Sequence, residues 1–163
     1  MAPQAEAQMP GGKMRNGTLL LIAALLLVAA GAHRALAAQD QTAVAYILER
    51  YADKPEPGAK ARYSPRIDKL WAACNKREKQ SGNPCMGFDI WVNAQDFEIK
   101  DLKVEQISGG KDSASVKASF DNMGTKTVIS YDLFKDKTGW VVDEISTDCD
   151  TLSGMLKGEA SKC

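Results

Sequence analysis

The chain is predicted to form an α+β domain in which N-terminal helices pack on a curved antiparallel sheet. Apolar residues recur at helical spacing in residues 42–53 and again after residue 64. From residue 97 onward, apolar and polar residues alternate, which is typical of half-buried strands, and turn-forming segments interrupt them. Helices followed by strands joined through short turns indicate the α+β class.

Two helices are predicted at the start of the domain. The first covers residues 42–53, where Ile47 and Tyr51 share an apolar face, and the Pro/Gly-rich segment after it ends the helix. The second begins at Ser64, because serine is a favoured N-cap and Pro65 fits the first helical turn. Both helices therefore precede the strands.

Four strands are predicted after the helices, joined by turns at residues 108–112, 122–124 and 136–139. Within the first strand the alternation changes phase at Lys100 and Asp101. An extra residue on one strand of an antiparallel pair produces such a change. The sequence therefore predicts a bulge or sharp bend at this point.

Residues 1–37 are predicted to be a signal peptide with a polar N-terminal extension, cleaved after Ala37. A short positive stretch at residues 14–15 precedes an apolar run at residues 18–32, and small residues follow at positions 35 and 37. Met14 is an alternative to Met1 as the start of translation. Residues 38–163 then form a single domain in the periplasm or outside the cell.

The alternative to cleavage is an inner-membrane anchor formed by residues 18–32. A spanning helix needs about 20 apolar residues, and this run is shorter and is followed by charge. Cleavage is therefore favoured, and no stable membrane anchor is expected afterwards. The remaining domain has 18 basic and 20 acidic residues, so its net charge of −2 disfavours nucleic acid as a partner.

The cysteines indicate two disulfides. An even number of cysteines behind an export signal is typical of a disulfide-bonded protein. Of the three possible pairings, Cys74–Cys85 and Cys149–Cys163 are favoured because each closes a short loop. A zinc site requires close pairs such as C-x-x-C, which the sequence lacks, so no metal or cofactor is expected.

The single histidine, His33, belongs to the segment that is expected to be removed. A domain without histidine cannot contain a Ser-His-Asp triad, a Cys-His pair or a histidine metal ligand. Several classes of enzyme are therefore excluded, and a non-enzymatic role is favoured.

Residues 89–97 resemble the bacterial exported family called domain of unknown function 3828. The resemblance covers nearly all of residues 42–156, with matching segments at residues 63–65, 89–97, 131–133 and 139–145. It implies a cone-shaped sheet of the nuclear-transport-factor-2-like type, with helices closing its concave side. It implies no activity.

Asp89, Asp96 and Tyr131 are the candidate catalytic residues, with Trp91 beside them. A carboxylate in an apolar pocket can have a raised pKa and act as an acid or base. The favoured interpretation is structural: Asp96 and Asn93 are expected to bond backbone groups of a turn before a strand. The three tryptophans have apolar neighbours and are predicted to lie in the core, at positions 71, 91 and 140.

Two functions of different classes remain. The favoured one is a non-catalytic module that binds a protein or a small ligand. The alternative is a small pocket enzyme that uses Asp/Tyr acid–base chemistry on a small hydrophobic substrate. A sheet filled with side chains would support the first, and an open apolar pocket lined by Asp89 or Asp96 and Tyr131 would support the second.

Overall fold

The computed structural model describes residues 41–163, which form three helices and one four-stranded sheet. The strands follow the order β1-β2-β3-β4, each antiparallel to its neighbours, and the sheet is curved. The α+β class with helices before the sheet is confirmed. The elements are α1 (Ala43–Tyr51), α2 (Pro65–Ser81), β1 (Ile99–Gly109), β2 (Ser113–Asn122), β3 (Thr125–Asp136), β4 (Gly139–Ser146) and α3 (Leu152–Lys157).

Helices α1 and α2 each begin at a capping residue, and the sequence indicates the second of these, Ser64. The Thr42 hydroxyl accepts a hydrogen bond from the Ala45 N–H at 3.1 Å, which caps α1. The Ser64 hydroxyl accepts from the Ile67 N–H at 3.3 Å, and Pro65 occupies the first turn of α2. Each cap satisfies a backbone donor that the helix leaves unpaired. The predicted start of α2 is therefore confirmed.

The predicted irregularity in β1 is also present. The pairing of β1 with β2 shifts register between Lys100 and Lys103, and Asp101 has a φ of 54°. In the turn between β2 and β3, Met123 and Gly124 have φ values of 52° and 87°. Two successive left-handed residues match the right-handed twist of the flanking strands, so this turn joins β2 and β3 tightly.

The core lies between the helices and the inner face of the sheet. Alternate residues of β2 and β3 point inward, and α1 packs against β1 and β2. Trp91 and Trp140 are buried as predicted, whereas Trp71 is only partly buried on the surface of α2. The fully buried large side chains include Ile47, Ile67, Val116, Ile129, Tyr131 and Ile145. Side chains therefore fill the inner face of the sheet.

Two disulfides close short loops. Cys74 pairs with Cys85, with Cα atoms 5.7 Å apart, and Cys149 pairs with Cys163 at 5.2 Å. This is the predicted pairing. The first bridge ties α2 to the segment that follows it. The second fastens the C-terminal tail, where the Lys162 N–H also donates to the Cys149 carbonyl at 3.2 Å.

The predicted signal segment and its cleavage site lie outside the described residues. Within residues 41–163, no helix has the length and hydrophobicity needed to cross a bilayer. Helix α3 was not predicted from the sequence, because its six residues are too few to display a clear helical period.

Candidate ligand-binding groove around Asp89

A surface groove of about 350 Å³ lies where the loop after α1, helix α2 and the segment before β1 meet. We call it the Asp89 groove. Aromatic and aliphatic side chains form most of its wall, and two carboxylates are present. Its lining residues are Glu56, Pro57, Gly58, Ala59, Tyr63, Trp71, Met86, Phe88, Asp89 and Trp91.

Gly58 allows the loop after α1 to form one wall of the groove. Its φ is +75°, and a Cβ atom at this position would lie 2.2 Å from Nε1 of Trp91. The Gly58 N–H donates to the Arg50 carbonyl at 2.8 Å. The buried Asp53 carboxylate accepts from the Lys60 N–H at 2.9 Å, and its Oδ2 lies 3.4 Å from Nε of Arg50. These contacts hold the loop against the indole ring.

Trp91 forms the floor of the groove and is 2% exposed. Its Nε1–H donates to the Tyr63 hydroxyl at 3.0 Å. Its ring centroid lies 4.8 Å from that of Tyr131, and Tyr51 contacts it edge-on at 5.9 Å. Trp91 therefore lies between the groove and the tyrosines of the core.

The two carboxylate oxygens of Asp89 have different surroundings. Oδ1 accepts from the Trp91 N–H at 2.8 Å, and the Asp89 N–H donates to the Ala94 carbonyl at 3.0 Å, which closes a turn. Oδ2 is buried and has no hydrogen-bond partner among residues 41–163. Burial raises the pKa of the Asp89 carboxyl above its ordinary value of 3.8; the Trp91 N–H opposes this rise, and the negative charge of Glu56 adds to it.

Tyr131 lies in the core and is fully buried. Its hydroxyl lies 2.7 Å from that of Tyr51, which in turn donates to the Trp91 carbonyl at 3.1 Å. Because Tyr51 uses its hydrogen for that carbonyl, Tyr131 is the donor between the two rings. Burial raises the pKa values of both tyrosines well above 10. Tyr131 is thus a neutral, hydrogen-bonded core residue that does not line the groove.

Asp96 lies elsewhere, exposed beside the β2–β3 turn. It lines a separate depression together with Asn93, Asn122 and Met123, and its carbonyl accepts from Nδ2 of Asn122 at 3.4 Å. The structure therefore does not bring Asp96 together with Asp89 or Tyr131. Asp96 was expected to cap the turn before β1. The turn instead spans residues 89–94, and its capping carboxylate is that of Asp89.

No family model, curated protein or solved structure matches this chain. Within residues 41–163, no group of three or more histidine, cysteine, aspartate or glutamate side chains is placed to hold a metal ion.

The sequence prediction identified Asp89 and Trp91 but missed the rest of the groove. The sequence predicts Trp71 in the core, and it includes Tyr63 only in segment 63–65, which carries part of the family resemblance. A signal for the wall was present in the Pro/Gly-rich segment 54–58, because such a segment ends a helix and leaves irregular backbone at the surface.

Proposed function

We propose that this chain is an exported, non-catalytic binding module that holds a small ligand in the Asp89 groove. The observation that carries the proposal is a concave, mostly apolar groove lined by Asp89, whose carboxylate has one buried, unpaired oxygen. Small-molecule sites are typically concave and apolar, with a few polar groups that orient the ligand. A volume of about 350 Å³ is at the small end of such sites.

The filled interior of the sheet supports a binding role at the surface. Val116, Ile129 and Tyr131 point inward from the sheet and are fully buried, and Tyr51 and Trp91 pack against Tyr131. A substrate could reach Tyr131 only by displacing these side chains. The groove on the outer side of Trp91 is open to a ligand without such rearrangement.

The two disulfides support the proposed compartment, periplasmic or secreted, because such bonds persist in oxidising environments. Membership in the family called domain of unknown function 3828 belongs to the same proposal. Two of the segments that carry the resemblance, residues 63–65 and 89–97, contribute Tyr63 and Asp89 to the same groove.

An acid–base enzyme is the second candidate, and the raised pKa of Asp89 favours it. In that case the Asp/Tyr pair would be Asp89 with Tyr63, because both line the groove and Tyr131 does not. Burial raises the pKa of Tyr63 to about 12. This candidate predicts turnover. The small molecule recovered from the native protein would then differ chemically from that recovered from Asp89→Asn.

The binding role can be tested by NMR with n-butanol and benzyl alcohol as probes. We expect the indole N–H signal of Trp71 to shift on titration. Trp140 is an internal reference, because its indole N–H donates to the Gln41 carbonyl at 2.7 Å and it does not line the groove.

The matched variants are Trp71→Ala and Phe97→Ala, since both remove a partly exposed aromatic side chain and only the first lines the groove. With the methyl signal of Met86 as readout, we expect Trp71→Ala to abolish the response and Phe97→Ala to retain it. Equal shifts at Trp71 and Trp140, or no shift with either probe, would contradict the proposal.

A further inference from the structure

We propose that the Asp89 groove binds the alkylammonium group of a small amine. This inference rests on the proposed function and adds the chemical class of the ligand. Charge, an unpaired acceptor and aromatic walls each support it.

The charged residues that line the groove, Asp89 and Glu56, are both acidic. Among the lining residues that the structure describes, there is no lysine or arginine. The nearby cation Arg50 pairs with Asp53 and donates to the Lys60 carbonyl at 2.8 Å. The groove therefore has a negative potential within apolar walls, which attracts a cation and repels an anion.

Oδ2 of Asp89 is a buried acceptor without a partner in residues 41–163. Most buried polar atoms in folded proteins are hydrogen-bonded, and an unpaired one destabilises the fold. Asp89 lines the groove, so a cation held there lies close to its carboxylate. An ammonium group in the groove supplies both a positive charge and hydrogen-bond donors beside this carboxylate.

The aromatic residues provide the third argument. Tyr63, Trp71 and Phe88 are partly exposed and line the same groove as the carboxylates. Aromatic rings attract ammonium groups more strongly than they attract neutral groups of the same shape. The volume of about 350 Å³ suits a short amine rather than a large ligand.

The test compares n-butylammonium with n-butanol and butanoate at pH 7.5, using the Trp71 indole signal to measure affinity. We expect n-butylammonium to bind at least about tenfold more tightly than n-butanol. Butanoate is expected not to bind. Asp89→Asn should lower the affinity for n-butylammonium to that for n-butanol and leave n-butanol binding unchanged.

Asp96→Asn is the matched control, because it neutralises an exposed carboxylate outside the groove. It should change neither affinity. If Asp89→Asn does not fold, Glu56→Gln is the second variant, and it should weaken n-butylammonium binding alone.

Two results separate this inference from the proposed function. Equal affinity for n-butanol and n-butylammonium would overturn the ammonium preference while the groove remains a binding site. Absence of binding by both would overturn both proposals. Much tighter binding of Nα-acetyl-lysine methylamide than of n-butylammonium would also overturn the inference, since it would indicate a protein side chain as the ligand.

Discussion

The hydroxyl oxygens of Tyr51 and Tyr131 lie 2.7 Å apart in the core, although the two residues are 80 positions apart in the chain. Tyr131 donates to Tyr51, which donates to the Trp91 carbonyl. This directed pair of hydrogen bonds connects β3, α1 and the segment before β1. It therefore fixes the position of Trp91, the floor of the groove.

The direction of these bonds predicts unequal effects of removing each hydroxyl. Tyr131→Phe removes one donor but leaves Tyr51 donating to Trp91, so a loss of about 1 kcal/mol in the free energy of unfolding is expected. Tyr51→Phe leaves the Tyr131 hydroxyl and the Trp91 carbonyl unpaired, so the expected loss is about 2–3 kcal/mol. Urea unfolding measures both. A larger loss for Tyr131→Phe would reverse the assigned direction.

Gly58→Ala is expected to destabilise the protein by more than about 2 kcal/mol, because the position combines a left-handed φ with contact against Trp91. It should also abolish ligand binding, since the loop must move away from the indole. Gly110→Ala is the control, as a Cβ there has no neighbour within 4 Å. Thermal unfolding measures the stability of both variants, and the Trp71 indole signal measures ligand binding. Equal stability of the two variants would contradict the close contact between Gly58 and Trp91.

Asp89→Asn is expected to be at least as stable as the unmodified protein at pH 7. Burial raises the pKa of Asp89, and Glu56 adds to the effect, so the folded state favours the protonated carboxyl. Such a group stabilises the fold below its unfolded pKa, and this contribution is lost as pH rises through the higher folded pKa. The advantage of the variant should therefore shrink as pH is lowered to 4 and below. Denaturant unfolding across this pH range measures the difference in the free energy of unfolding, with Asp96→Asn as the control. If Asp89→Asn were less stable than the unmodified protein at pH 7, the Asp89 carboxylate would have a stabilising partner.

The contribution of Asp136 to stability is expected to have the opposite pH dependence. A hydrogen bond from Arg62 lowers its pKa from 3.8 to about 2, and the Thr138 N–H contributes to the shift. A carboxyl with a lowered folded pKa stabilises the fold above its unfolded pKa, and this contribution is lost as pH falls toward about 2. Asp136→Asn should therefore flatten the loss of stability between pH 4 and 2. An unchanged acid unfolding curve would contradict this assignment.

The disulfides are expected to differ in their effect on the groove. Replacing either pair by serine should cost about 3 kcal/mol, because the closed loops are of similar length. Removing Cys74–Cys85 should also weaken ligand binding, since Met86 and Phe88 lie within three residues after Cys85 and line the groove. Removing Cys149–Cys163 should leave binding intact. Probe titrations of both variants distinguish them, and equal loss of binding would be the contrary result.

The sequence predicted those features that neighbouring residues determine. The Ser64 cap, the bulge at Asp101 and the turn at Met123 and Gly124 each depend on a few consecutive residues, and all are present. The disulfide pairing was predictable because both loops are short.

The Asp89 groove was not predictable in this way. Gly58, Trp71 and Trp91 come from three separate segments, and only the packing of those segments against one another brings them together. The same limit explains why the sequence groups Tyr131 with Asp89 as candidate catalytic residues. Their separation by the Trp91 ring is a property of the tertiary structure.

We propose an exported protein that holds a small ligand in the Asp89 groove. A native mass spectrum of the protein, purified without reduction from the cell envelope of its own host, tests this most directly. We predict a chain that begins at Ala38, carries two disulfides and retains a small-molecule adduct that Trp71→Ala loses and Phe97→Ala keeps. A full-length chain with free thiols would contradict export, and an adduct retained by Trp71→Ala would contradict the groove as its site.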